Sequence, residues 1–422
     1  MRSTVSIVPC PEYEAKALDR AVAEAVELAG GFEARGAAVL LKPNLLNANG
    51  PERGVTVHPA IVAAAVRWLK VAGASRVLVG DSPGWQTQEL VGRKTGVKDA
   101  VLQSGGEWAD FSTEAEFEIP EGRLARRFRL AAPLAEADLL VSLPKLKTHQ
   151  LMYYTGAVKN LFGLVPGLQK SAFHLRFPGR GEFAGMLSDL ALAAAPDFSL
   201  MDAIVAMEGP GPNNGRPRSL GLVLASRDPL ALDWTAAGLI GYEPGTVPYL
   251  ADLMGRMAAK AGDAARPERG PAPESAREPA EDGARNGGRD EAPEASRRRA
   301  FPSWAASPAE IVLAGLPLAE AKPEGFELVP LLKENDFLSK KLPPWLHRLV
   351  KGAMVPRPRF DHGKCVRCSG CVRICPAKAL VLAPSARDPR GRIEIDYERC
   401  IRCYCCHEIC PEDAIDLVRR WL

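Results

Sequence analysis

CVRCSGCVRICP (residues 365–376) decides the last domain of this 422-residue chain, and CIRCYCCHEICP (residues 400–411) repeats it thirty-five positions later. Each copy spells C-x2-C-x2-C-x3-C-P: Cys365, Cys368, Cys371, Cys375 and Pro376, then Cys400, Cys403, Cys406, Cys410 and Pro411. The likeness runs past the cysteines, at Val366/Ile401, Arg367/Arg402, Ile374/Ile409, Ala379/Ala414 and Leu380/Ile415. The apolar pairs are expected to pack around whatever the thiolates hold and to limit water. A structural zinc site needs only two C-x2-C pairs in a tetrahedral array; a third cysteine and a proline, twice over, do not suit it.

The pattern resembles that of bacterial two-cluster ferredoxins, over about residues 360–420. The resemblance implies two [4Fe–4S] clusters. In that pattern three closely spaced cysteines serve one cluster and the fourth crosses to the other. It therefore assigns Cys365, Cys368, Cys371 and Cys410 to cluster 1, and Cys400, Cys403, Cys406 and Cys375 to cluster 2. Arg367, Arg373 and Arg402 would raise the potentials. Cys405, left over, and Cys10, between two prolines, read as small packed residues. With eight of ten cysteines so committed, a reducing, cytoplasmic compartment is expected. The opening MRSTVSIVPCPEYEAK lacks the apolar core of a signal peptide, and no uninterrupted apolar run reaches membrane-helix length.

Upstream, strand and helix patterns alternate. TVSIVPC, AAVLLKPN, RVLVGDS, ADLLVSLPKLKTH, FSLMDAIVAMEG and LGLVLASRD read as strands; EAKALDRAVAEAVELAGG, HPAIVAAAVRWLKVAG, MLSDLALAAA and PLALDWTAAGLIG read as helices. This alternation predicts an α/β domain over residues 1–330, a mostly parallel sheet flanked by helices. A linker with a short helix (331–359) and a small α+β ferredoxin-like dicluster domain (360–422) follow. Residues 262–299 contain no Val, Ile, Leu, Met, Phe, Tyr or Trp and are expected to be a disordered insertion, since AEIVLAGLPL resumes a strand pattern beyond them. At 46% hydrophobic and 25% charged residues with net charge +3, the composition is globular and points to no nucleic-acid partner.

Ligands of open α/β sheets bind beyond the carboxyl ends of the strands. Polar residues recur at those ends: Lys42 and Asn44, Asp81, then Lys145, Lys147 and His149, and Glu208. The stretch TGAVKNLFGLVPGLQKSAFH (residues 155–174) adds Lys159, Asn160, Lys170 and His174 among apolar residues and glycines. Lysines interleaved with Leu, Phe and Gly are expected to be partly buried, and a buried lysine calls for an anionic partner. Lys42, Asn44, Lys145, Lys147, Lys159 and Asn160 are therefore candidates for holding a small carboxylate or phosphate, and Asp81 for accepting hydrogen bonds from the same substrate. His149, His174 and Glu208 are candidates for acid–base work. Asp228, before Pro229, reads as a helix N-cap. GPGPNNG is not a Walker loop, and no nicotinamide or flavin motif is visible.

Taken together, KPN, GDSPG, PKLKTH, GAVKNLFG, EGPGP and SRDPLALD resemble the domain of unknown function 362 family, across nearly the whole α/β region. That resemblance implies one α/β domain, often joined to a ferredoxin-like tail, and transfers no catalytic residue. Two readings follow. In one, the chain is an oxidoreductase that takes electrons from a redox partner and passes them to a small anionic substrate or cofactor in the crevice. In the other, it is a non-enzymatic electron-transfer or ligand-binding module.

Overall fold

The computed structural model describes residues 2–167, 169–264, 301–331, 355–385 and 388–418. The upstream strands are β1 (Ser3–Pro9), β2 (Ala38–Pro43), β3 (Arg76–Val79), β4 (Glu107–Trp108), β5 (Glu114–Glu118), β6 (Arg127–Ala131), β7 (Leu139–Leu143), β8 (Lys145–His149), β9 (Tyr153–Thr155), β10 (Phe198–Glu208), β11 (Arg216–Ser226) and β12 (Ile311–Gly315). The main sheet runs β12-β1-β11-β10-β7-β2-β3-β4, with β8 and β9 attached through β10. Its pairings are parallel except β1–β11, β10–β11 and β8–β9. The strand patterns thus give the mostly parallel sheet expected of them, and β12 does return to it, beside β1.

Strict alternation divides the apolar residues between two faces. Val39, Leu41, Val141 and Leu200 point into one cluster; Leu40, Leu140, Met201 and Leu224 point into the other. The first is covered by helices Ala15–Leu28 and Pro59–Val71, the second by Arg180–Ala194, Pro229–Ile240 and Pro248–Ala264. In the first helix Leu18, Ala21, Val22, Ala25 and Val26 are buried, one stripe at the 3.6-residue period. Asp228 caps the Pro229–Ile240 helix as its sequence predicts, accepting from the amides of Leu230 and Ala231 at 2.9 and 3.0 Å.

The ADLLVSLPKLKTH stretch is two strands, not one, because Pro144 offers no amide to continue β7. The irregular stretch before it contains an antiparallel hairpin, β5–β6. At the insertion, the helix beginning at Pro248 extends through Ala264, past the expected boundary at residue 262; the remainder of the insertion and the short helix expected near residue 345 lie outside the described residues. Among the described residues no helix is long and apolar enough to cross a membrane.

The tail is a separate small α+β unit. β13 (Arg357–Phe360) pairs with β16 (Ile415–Val418), and β14 (Leu380–Ala383) with β15 (Arg392–Ile395), both antiparallel. Its internal repeat extends to the backbone. Arg367, Ser369 and Lys378 adopt left-handed conformations, and so do Arg402, Tyr404 and Asp413, their equivalents thirty-five positions on. Such conformations are disfavoured for residues with a Cβ, so their recurrence in both halves marks one loop shape built twice.

Candidate functional site

Each half of the tail folds its cysteines around the same local device. The amide of Ala379 points at the Cys375 sulfur and that of Ala414 at the Cys410 sulfur, each at 3.3 Å. These are the two crossing cysteines. Cys410 faces Cys365 and Cys368, while Cys375 faces Cys400 and Cys406. Leu380, Ile393 and Ile415 pack behind them and shield them from water. Among the described residues no three His, Cys, Asp or Glu side chains are gathered as a single metal ion requires. A cubane spreads four thiolates over separate irons and does not require it. The donor chemistry, the crossed grouping and the amides aimed at sulfur fit the two sets expected from spacing.

Anaerobically reconstituted protein should therefore carry about eight iron and eight acid-labile sulfide atoms per chain, and Cys405→Ser should carry the same. Cys405 is buried with Ile374 and Ile409 and packs against Cys403, without belonging to either set. Iron and sulfide analysis of both proteins is the measurement; stoichiometric zinc without sulfide would refute the assignment.

The crevice lies where the strand ends meet this tail. A cavity with a free volume of about 100 Å³ is lined by Lys42, Asn44, Asp81, Lys147, His149, Lys159, Asn160, Lys170 and His174 from the α/β domain. Its remaining wall includes Ile374, Cys405, Glu408 and Ile409. The tail is held there by the GPGPNNG loop: Asn213 donates to the Cys410 carbonyl at 2.8 Å, and Asn214 lies 3.3 Å from His407. Arg53 pairs with Asp413 at 3.1 Å, and Trp85 packs against Ile374 and Ile409.

Within the cavity, several side chains are already satisfied. Lys42, fully buried, pairs with Asp81 at 2.8 Å and donates to Asn160 Oδ1 at 3.0 Å. Asn160 in turn donates to the Lys42 carbonyl and to Ser142 Oγ, both at 3.0 Å, so both of its amide hydrogens are engaged inside the protein. Lys147 donates to Asn44 and the Val55 carbonyl at 2.7 Å, and Lys170 to the Ser82 carbonyl at 2.6 Å. Gly163 is needed for this arrangement, because a Cβ there would fall 2.0 Å from Asp81 and 2.5 Å from Lys42.

Other groups are left with capacity. Among the described residues the Lys159 ammonium has no hydrogen-bond or ion-pair partner. Its short helix, Ala157–Asn160, is anchored by Asp233, which accepts from the amides of Ala157 and Val158 at 2.6 and 3.0 Å. His149 Nδ1 accepts from the amides of Leu151 and Met152, which leaves the proton on Nε2. That Nε2–H lacks a hydrogen-bond partner and lies 3.4 Å from Glu408, whose Oε1 is also unpartnered.

Burial sets the protonation of these groups. It drives His149 well below the ordinary histidine value, helped by Lys159 and Lys147, and it drives His174 to about 3, helped by Lys159. Both imidazoles are therefore neutral at pH 7 and are not acids there. Burial also pushes Glu408 up, opposed by Lys159 and Lys147. Lys147 is lowered to about 7 by burial and by its neighbours Lys159 and Lys145. Burial likewise lowers Lys170 to about 7.

A pH dependence follows. Both ammonium groups titrate near 7 in the folded protein against 10.5 ordinarily, so between these values the unfolded chain binds more protons. The ligand-free protein should gain stability as pH rises through that window. A bound anion favours the protonated lysines, so its affinity should fall as pH passes about 7. Titration calorimetry in buffers of different ionisation enthalpy should register proton uptake on binding; its absence would disprove this electrostatic account.

Two of the candidate residues are placed elsewhere. Lys145 does not line the cavity. It pairs with Asp202 at 2.8 Å and bonds Tyr13 at 2.9 Å, with both charged side chains fully buried. Glu208 accepts from the Glu327 amide at 3.1 Å and braces that loop. Conversely, Glu408, Cys405, Ile374 and Ile409 were not among the sequence-derived candidates. The signal available was divergence between the repeats: Glu408 and Cys405 stand where the first copy has Arg373 and Gly370.

An α/β domain whose strand-end crevice is closed by a paired-cysteine α+β domain defines the class. Residues 39–238 match the family described as domain of unknown function (DUF362), and residues 364–414 match the 4Fe-4S dicluster domain, which implies iron–sulfur binding and a redox role. The chain is 36% identical over 264 residues to thylakoid-associated protein sll1697 of Synechocystis sp., spanning 60% of this chain and 78% of that protein. The chain belongs to the domain of unknown function 362 family. Two solved structures are more distant. The lactate racemase apoprotein from Thermoanaerobacterium thermosaccharolyticum is 14% identical, covering 49% of this chain and 51% of its own, with a TM-score of 0.32. A Thermotoga maritima protein is 13% identical, covering 52% and 56%, with a TM-score of 0.31. The chain thus spans about half the length of each.

Proposed function

We propose that this protein is an iron–sulfur oxidoreductase of a reducing, cytoplasmic compartment, which delivers electrons to a small anionic substrate or cofactor held between its two domains. The observation that carries this reading is the shared wall. Cys405 packs beside Cys403, of the Cys400/Cys403/Cys406/Cys375 set, and lines the same cavity as Lys159. When bound, the two clusters supply one-electron transfer. The chain's own residues do the rest. Lys159 is the unpartnered cation for the anion, and Lys147 and Lys170 add positive charge when protonated. The Nε2–H of His149 is a neutral donor toward charge developing on a ligand oxygen. With both imidazoles neutral, Lys147 and Lys170, at about 7, are better placed to give up a proton than the histidines. Ile374 and Ile409 limit water at the tail side.

The test is anaerobic. The reconstituted protein is reduced, then mixed with a panel of small carboxylates and phosphate esters while its absorbance is followed. Ligand-dependent reoxidation with a converted product supports the enzyme. Saturable binding without reoxidation would replace it by the ligand-binding module.

A further inference from the structure

The two cysteine sets face different surroundings. The inner set adjoins the crevice, with Cys403 packed among Cys405, Ile374 and Ile409. The outer set reaches solvent: Cys368 is exposed, and Val366 beside it is 50% exposed. Cations rim this outer face. Arg373 donates to the Cys368 carbonyl at 3.0 Å, and Arg367 donates to the Cys365 carbonyl. Arg390 reaches Asp388 at 3.2 Å, Arg392 lies 3.0 Å from His362, and Lys364 is exposed. Against these five cations stand Asp361, Asp388, Glu394 and the exposed Glu412 beside Cys410. Asp388 is held between Arg367 and Arg390, and Asp361 accepts from the Gly363 amide. The result is an exposed cysteine of this set with an apolar neighbour and a surplus of cationic groups.

We infer that this face is the docking surface for an acidic one-electron carrier protein, and that electrons enter at the Cys365/Cys368/Cys371/Cys410 set and leave toward the crevice from the Cys400/Cys403/Cys406/Cys375 set. The carrier is oxidised by one electron and this chain reduced by one, with no atom or proton exchanged at the contact. Complementary charge raises the rate of encounter without requiring tight binding, which suits a transient donor. The inner set is less suited to this, because its crevice side is covered by the chain's own α/β domain and none of its four cysteines is exposed as Cys368 is. The inference holds whatever the crevice binds, since its readout is reduction of the chain with no ligand present.

The experiment mixes the reconstituted full chain in a stopped-flow cell with a photoreduced, strongly acidic two-iron ferredoxin. Arg373→Glu and Arg390→Glu should each lower the second-order reduction rate several-fold at low salt, on the order of tenfold together, and should converge with the parent near 1 M salt, where charges are screened within about 3 Å. Arg399→Glu makes the same charge change beside Cys400 of the inner set and should leave the rate at the parent value. Excess dithionite should reduce all variants to the same extent, with equal iron content. Parent-like rates for the first two variants, equal slowing by Arg399→Glu, or incomplete reduction of a variant by dithionite would each overturn the proposal.

Discussion

Lys159→Met should weaken binding of an anion in the crevice roughly 100-fold, the effect of losing one charge-assisted hydrogen bond of ~3 kcal/mol in a buried site. The argument rests on what Lys159 lacks. Lys42 has Asp81, Lys147 has Asn44 and a carbonyl, and Lys170 has a carbonyl, whereas the Lys159 ammonium has no bonded partner among the described residues. Lys159 is half-buried and its ammonium lies over the Phe162 ring, 5.8 Å from the centroid, so its removal deletes no ion pair or hydrogen bond and should leave the unfolding temperature close to the parent value. Iron and sulfide content should stay at the parent value. Asn160→Ala should behave differently, since its amide ties Lys42 to Ser142: it should lower stability, with a smaller effect on affinity. Affinity is measured by calorimetry with whichever carboxylate or phosphate ester of the panel binds the parent. Equal affinity in Lys159→Met and parent would place the anion elsewhere.

Lys145→Met should do the reverse. It removes one partner of an ion pair in which both side chains are fully buried, and leaves the Asp202 carboxylate with neutral donors alone, the Tyr13 hydroxyl and the amides of His58 and Ile204. Breaking such a pair costs about 3–5 kcal/mol, expected to lower the unfolding temperature on the order of 10 °C. Replacing both partners, as Lys145→Met with Asp202→Leu, should recover much of that loss, because no lone charge remains. Anion affinity, measured below the transition, should match the parent. A Lys145→Met protein of normal stability that no longer binds the anion would return this lysine to the crevice.

Lys145 and Lys147 show where sequence reading ends. Both sit in lysine-bearing motifs near strand ends, and composition offers no way to tell them apart. Their fates differ because β8 is irregularly paired: Lys145 lies opposite Asp202 while Lys147, two residues on, lies opposite Met207. That shift in register delivers Lys145 to a carboxylate and Lys147 to the cavity. Registers are settled by the packing of the whole sheet and leave no local trace.

The sequence by itself determined what depends on short spacing. Two C-x2-C-x2-C-x3-C-P runs place three sulfurs on one tight loop, and the strand and helix periods were legible because burial on one face repeats every two or 3.6 residues. The alternation of those elements was enough to expect a mostly parallel sheet with polar residues gathered at one edge. Only the tertiary structure decided what closes that edge. Glu408 reads as one more charged residue between Cys406 and Cys410, with nothing nearby in sequence to say what it faces. Docking of the tail through Trp85, Asn213 and Asn214 brings it to 3.4 Å from His149, 259 positions earlier in the chain. The glycine of the KNLFG stretch tells the same story: nothing local in the sequence says that Gly163 makes room for the Lys42–Asp81 pair. Contacts between distant segments depend on the shape of both partners once folded, and that shape belongs to the whole chain.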